Sequence, residues 1–275
     1  MSRIARVFRI FGTALSYLQR GRLAMPLFIY FLLQLSLISL YVWSGAKAAG
    51  LWALVRPGMG PEVITHYPEH LFLMGSILGR FDIPLEVFVL VLAQGATVLL
   101  VAAAARRASM GIRESLTVAG RRYLHLVIAA AAASVAMFAG FRYPLALIDG
   151  IAGIPRGLGA GASALICIVL QTFLLYAIPF ILIEGRSAPD ALRRSFGFAG
   201  RHFVESFLFA LVPFLLTVPT LLLSLNPQAI AFQISPEFLI HVQIAGEAVQ
   251  FIATYLLVGG LTIFFVETRT TGEEK

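Results

Sequence analysis

The run from Gly157 to Ile183, GLGAGASALICIVLQTFLLYAIPFILI, carries no charged residue. It is long enough to cross a hydrocarbon core, which takes about 20 apolar residues in helical form. Its apolar positions do not alternate with polar ones, so a strand of a barrel wall is a poor template. Five further runs meet the same standard: 23–43, 85–105, 123–148, 203–225 and 242–266. The first is free of charge, with Tyr30, Tyr41 and Trp43 toward its ends, while Glu86, Glu205 and Glu247 lie at or near the ends of three others. The expected fold is therefore all-α, a single polytopic membrane domain of six transmembrane helices.

Composition agrees with that reading. Of 275 residues, 59% are hydrophobic and 13% charged, and the mean hydropathy is +0.87. A soluble domain of this size keeps roughly a quarter of its residues charged to face water. Only lipid as solvent accommodates so much apolar surface. A single cysteine, Cys167, excludes an internal disulfide and any cysteine-rich metal site. The first residues, Ser2 to Arg9, alternate charge with bulk and show no small-residue cleavage site, so they read as a retained basic amphipathic segment over 1–22.

Arginine placement predicts the orientation. One set of connecting segments holds Arg3, Arg6, Arg9, Arg20 and Arg22, then Arg106, Arg107, Arg113, Arg121 and Arg122, then Arg186, Arg193, Arg194 and Arg201, then Arg269 and Lys275. The opposite set has only Lys47, Arg56, Arg80, Arg142 and Arg156. Positive charge is retained in the cytoplasm, which puts both termini there and 44–84 in an extracytoplasmic loop. In a bacterium this is the inner membrane. The net charge of +7 then reflects topology and contact with anionic headgroups rather than nucleic acid, because it is spread over short segments beside spans.

The arginine-rich segments also repeat. Ser115-Leu116-Thr117-Val118-Ala119-Gly120-Arg121-Arg122-Tyr123 aligns without gaps on Ser195-Phe196-Gly197-Phe198-Ala199-Gly200-Arg201-His202-Phe203, and a fainter copy occupies Ser16 to Arg22. Each copy precedes an odd-numbered span, which predicts three helical hairpins, each introduced by a short interfacial helix. Ile112, Leu116, Ala119 and Tyr123 form one apolar stripe, and Leu192, Phe196, Ala199 and Phe203 form its counterpart. Leu116, Tyr123, Leu192, Phe196 and Phe203 are thus candidate interfacial anchors. Arg113, Arg121, Arg122, Arg193, Arg194 and Arg201 flank them as candidate headgroup or partner contacts. Ser187, Pro189 and Asp190 supply a helix start.

Pro179 to Arg186 (PFILIEGR), followed by Ala191, Leu192, Arg193, Arg194, Ser195, Phe196 and then Phe203, resembles the membrane domain of glycerophosphoryl diester phosphodiesterase-type proteins and related uncharacterised bacterial membrane families. In that pattern a span closes on an acidic residue and an Ala-Leu-x-x-Ser-aromatic helix leads into the next. The resemblance implies the membrane module alone, since this chain has no His-Arg-Gly with following acidic ligands.

Individual chemistry is sparse. His66 and His70, with Glu62 and Glu69 nearby, have a spacing that suits a divalent cation, but Pro68 interrupts the helix they would share. An ordinary wetted loop is the better reading, with His70 to Leu78 forming a short helix on the outer membrane surface, and no cofactor or metal is expected. Gln34, Gln94, Gln171 and Gln250 lie inside spans, where amides serve helix packing or a relay. Arg142 and Asp149 form a possible outer pair, Pro179, Pro213 and Pro219 predict bent helices, and Gly157-x-x-x-Gly161 permits close packing. With no paired nucleophile and base, the leading expectation is a non-enzymatic membrane protein that organises lipid, a protein partner or copies of itself. The alternative is a transporter or permease subunit for a small or lipidic solute.

Overall fold

A computed structural model describes residues 2–44, 69–149, 156–224 and 227–272. Every regular element among them is helical: α1 Arg3–Leu18, α2 Met25–Ser44, α3 Glu69–Leu85, α4 Val91–Ala105, α5 Ile112–Arg121, α6 Tyr123–Asp149, α7 Arg156–Leu174, α8 Ala177–Leu182, α9 Ala188–Arg201, α10 Phe203–Ser224, α11 Pro227–Gln233 and α12 Phe238–Thr271. A single π-helical turn, Glu86–Leu90, joins α3 to α4, so one rod runs from Glu69 to Ala105. Six helices, Met25–Trp43, His70–Ala105, Tyr123–Pro144, Gly161–Leu182, Phe203–Ser224 and Phe238–Thr270, are long and apolar enough to cross a membrane. The chain is an all-α protein of the multi-pass membrane class.

Two of the six are longer than the sequence reading expected. The expected loop 44–84 gives up 69–84 to α3, because Leu71, Met74, Ile77 and Leu78 form one helical face buried with Ile38, Tyr41, Leu239 and Val242. That burial outweighs the interruption by Arg80 and Asp82. Residues 45–68, with Glu62 and His66, lie outside the described residues, as do the side chains of Asp149 and Arg156. The rod α3–α4 and helix α12 are the most enclosed of the six and form the centre of the bundle.

Exposed large apolar side chains mark where the long helices leave the centre. They fall on α1 (Ile4, Phe8, Leu15), on α2 (Phe28, Ile29, Leu32), around Ile83 to Val89, on α6 (Leu124, Ile128, Val135), at Leu165 and Ile166, at Phe196, along α10, at Phe232 and Ile234, and at Ile244 and Ile252. Among the described residues none lies between Leu90 and Arg122, and none beyond Ile252. Helix α4, apolar on every face, is instead enclosed by protein, with ten of its residues from Val91 to Ala102 buried. A Cβ on its Gly95 would meet Leu182 at 3.0 Å, Leu126 at 3.2 Å and Ala119 at 3.5 Å, so α5, α6 and α8 all close on it. The Tyr123 hydroxyl, at the first residue of α6, donates to the Phe88 carbonyl at 2.9 Å. The start of α6 is thus level with the end of the π turn. An apolar belt, centred on α2, α3, α6, α7, α10 and the first half of α12, is followed by a helical layer built from α1, α4, α5, α8, α9 and the end of α12.

The run that opened the sequence reading is broken. Helix α7 ends at Leu174 and α8 begins at Ala177, with Tyr176 between them at φ −91°, ψ 2°. Pro179 explains the position, because its ring displaces the carbonyl four residues earlier, at Leu175. The freed groups are satisfied by α9: Tyr176 N–H donates to Ser195 Oγ at 3.1 Å, and Ser195 Oγ donates to the Phe173 carbonyl at 2.6 Å. Tyr176 and Ser206 hydroxyls meet at 2.9 Å. Gly161 has open space where a side chain would be, and the close approach of α6 to α7 is instead at Gly140, against Leu170.

Ion pairs gather at the arginine-rich end. Arg269 meets Glu184 at 2.6 Å, Arg9 meets Glu267 at 2.9 Å, Arg194 meets Asp190 at 3.1 Å and Arg3 meets Glu205 at 3.6 Å. Arg269 also lies over the rings of Phe180, Phe198 and Phe265. These contacts tie α1, α9, α10 and the end of α12 into one layer.

Candidate functional site

Polar residues inside the apolar belt recur one helical turn apart, and each pair therefore shares one face of its helix. Helix α2 presents Tyr30 and Gln34, and Asp82 and Glu86 bracket the junction of α3 with the π turn. Helix α12 presents Gln243, Glu247, Gln250 and Thr254, and α10 presents Thr217, Thr220 and Ser224. All of these line one cavity of about 330 Å³, completed by Leu27, Phe31, Leu90, Val242 and Phe251. Among the described residues, no arginine or lysine lines it.

Its walls are partly preorganised. Gln34, only 6% exposed, donates through Nε2 to the Tyr30 hydroxyl at 2.7 Å and to Asp82 Oδ1 at 3.3 Å. Gln243 Nε2 donates to Glu247 Oε1 at 3.2 Å. Thr217, Thr220 and Ser224 each donate to a carbonyl of their own helix at 2.7–2.9 Å, which leaves their oxygen lone pairs available toward the cavity. Pro213 and Pro219 lie within α10 on either side of Thr217. Gly246 leaves room for Thr220, whose Cβ would stand 3.9 Å from an added methyl. The π turn at Glu86 is a local departure of the kind that recurs at functional sites in helices. Phe31 and Phe251, whose ring centroids lie 5.6 Å apart, line the same cavity as the carboxyl groups.

Such a lining has three carboxyl groups, amides and hydroxyls, and aromatic faces. Chemically it suits a positively charged guest with hydrogen-bond donors. Among the described residues no group of three or more His, Cys, Asp or Glu side chains is arranged to hold a metal ion. The cavity is also far larger than a dehydrated ion needs.

Of the polar residues that the sequence singled out within spans, Gln34, Gln250, Glu86 and Glu247 converge here. Gln94 and Gln171 are not part of the lining, and Glu205 lies at the opposite end beside Arg3. Asp82 went unnoticed because it falls in the expected loop; its spacing of four from Glu86 was the available signal. His70 contributes a backbone carbonyl, which accepts from the Tyr41 hydroxyl at 2.7 Å.

The candidate headgroup contacts sit away from this cavity. Arg113, Arg121, Arg193, Arg194 and Arg201 are exposed at the arginine-rich end, and Arg122 is half-buried. Arg201 donates to the Gly197 carbonyl at 3.4 Å. Leu116, Tyr123 and Leu192 are half-buried, while Phe196 and Phe203 are exposed and lie 5.3 and 5.9 Å from the Phe173 ring. The fully buried face of α9 is Ala188, Ala191, Ser195, Phe198 and Ala199, one position off most of the expected stripe. Compared with known proteins, the chain matches no family model, no curated protein and no solved structure.

Proposed function

We propose that this chain is a transporter-type membrane protein that binds a small organic cation, of the protonated amine class, in the cavity between α2, α3, α10 and α12. The observation that carries the reading is the convergence of Asp82, Glu86 and Glu247 with Gln34 on one cavity inside the apolar belt, with no arginine or lysine among its described lining residues. Burying carboxyl groups at that depth is costly, and such groups by default mark a solute pathway. The size of about 330 Å³ fits an organic cation better than a bare ion, and Tyr30, Phe31 and Phe251 offer π faces to an ammonium group. The proline-bearing α10 and the π turn at Glu86, both lining the cavity, suit a wall that changes shape.

The same reading orients the chain with both termini cytoplasmic in a bacterial inner membrane, three hairpins each led by α1, α5 or α9. The concentration of arginines at one end supports it. A second, non-enzymatic reading, organisation of anionic lipid or of a partner, is favoured by the exposed Phe196 and Phe203 beside Arg193, Arg194 and Arg201.

Thermal unfolding of the full chain in detergent, titrated with tert-butylammonium and with its neutral analogue tert-butanol, separates the readings. Saturable stabilisation by the cation alone, abolished in Glu247→Gln and Glu86→Gln variants that still fold, is the expected result. Equal responses to both probes would remove the cation site.

A further inference from the structure

A second cavity, of about 540 Å³, lies at the arginine-rich end, between the α1–α2 connection and the segment that follows α4. Arg20, Arg22 and Arg107 converge on it with Tyr17 and Ser109, over an apolar floor that includes Leu100. Among the described residues, no aspartate or glutamate lines it. Six other arginines at this end, Arg3, Arg6, Arg9, Arg186, Arg194 and Arg269, each reach a carboxylate. Among the described residues, none of the three arginines at this cavity does. Arg20 lies over the Tyr17 ring at 5.0 Å, and Arg22 donates to the Met110 carbonyl at 3.4 Å, contacts that orient the guanidinium groups without cancelling their charge.

Arg107 adds an independent signal. It ends α4 in the left-handed region, at φ 56°, with Ala108 N–H donating to the Ala103 carbonyl at 2.8 Å and Arg107 N–H to the Ala104 carbonyl at 3.1 Å. That pair of bonds is the Schellman closure, whose left-handed position is normally glycine because a Cβ there is strained. Among the described residues, the other left-handed positions are all glycine: Gly21, Gly185 and Gly272. Backbone strain persists where the side chain is needed, and ligand clamps are one such place.

We propose that Arg20, Arg22 and Arg107 form a phosphate-binding site, taking the phosphate of an anionic lipid headgroup or of a soluble phosphate compound. Guanidinium forks bind phosphate oxygens in pairs, and Ser109 can add a hydroxyl donor. Leu23, two residues before α2 begins, places the cavity where a headgroup would stand, and the apolar floor accommodates the start of an acyl chain. The site is separate from the acid-lined cavity and does not depend on its function.

The test uses the full chain in phosphatidylcholine nanodiscs, following its unfolding midpoint. One arm adds phosphatidic acid to the bilayer; the other adds sodium pyrophosphate against sodium chloride at equal ionic strength. Stabilisation by phosphatidic acid alone identifies a lipid source, and by pyrophosphate alone a soluble one; either supports the site. Arg107→Gly should raise the midpoint without ligand, by relieving the strain, yet weaken the effective probe about tenfold. Arg20→Gln should weaken it similarly, and the control Arg142→Gln, exposed near the far end of α6, should not. No preference for either probe, or equal binding by Arg107→Gly and the parent, would overturn the proposal.

Discussion

Ser195 occupies the gap where α7 breaks, accepting one hydrogen bond from Tyr176 N–H and donating another to the Phe173 carbonyl. Both backbone groups face protein rather than water, so deleting the hydroxyl strands them. The cost of an unmet buried group is about 1–3 kcal/mol. Ser195→Ala should therefore lower the unfolding midpoint in detergent, while the aligned Ser115→Ala should change it much less. The Ser115 hydroxyl donates only to the Ile112 carbonyl of its own helix. Equal losses at the two positions would mean that the break needs no clamp. The alignment of the repeat was legible in the residues, but the different work of its two serines was not. It depends on Pro179, which lies outside the repeated segment and breaks only the α7 run.

At the scale of elements, α4 shows why a uniformly apolar run is ambiguous. Hydrophobicity on every face suits both a lipid-exposed span and a helix enclosed by protein. Residues 85–105 read as a span and lie within the longer apolar helix His70–Ala105, in which α4 is wrapped by neighbours and α3 carries the Arg80 and Asp82 that hid its extension. Gly95 is the decisive contact, because α5, α6 and α8 meet over it. Gly95→Leu should cost on the order of 1–3 kcal/mol through overpacking and be seen as a lower midpoint. Gly120 and Gly197 have no neighbour within 4 Å of an added Cβ and lie inside α5 and α9. Replacing each with alanine should stabilise by about 0.5–1 kcal/mol, from helix propensity alone. A destabilised Gly197→Ala would mean that α9 is packed more tightly on its outer face than its exposure indicates.

For the whole molecule, the arrangement is an apolar belt of six helical segments and one charged helical layer, with the acid-lined cavity in the first and the arginine-lined cavity in the second. Number and type of the spans were readable because length and hydropathy are local properties. The cavity was half readable: Gln34, Glu86, Gln250 and Glu247 stood out as polar groups in apolar runs, but their convergence is a property of four helices packed together. Orientation rests on arginine placement and can be checked directly. Cys167 is half-buried and is first replaced by serine to silence it. Single cysteines are then introduced at Gln233, exposed at the end of α11, and at Arg113 and Arg194, exposed on α5 and α9. In intact cells an impermeant thiol reagent should label Gln233→Cys and spare the other two, which should react only after the membrane is opened. Arg113 and Arg194 are separated by two full passes of the belt, so they must behave alike whichever way the protein faces. If one were labelled from outside and the other protected, α6 and α7 could not both cross the bilayer, and the belt would have to be redrawn. If both were labelled and Gln233→Cys were spared, the six passes would stand with the orientation reversed. The three arginines of the second cavity would then face the outer leaflet.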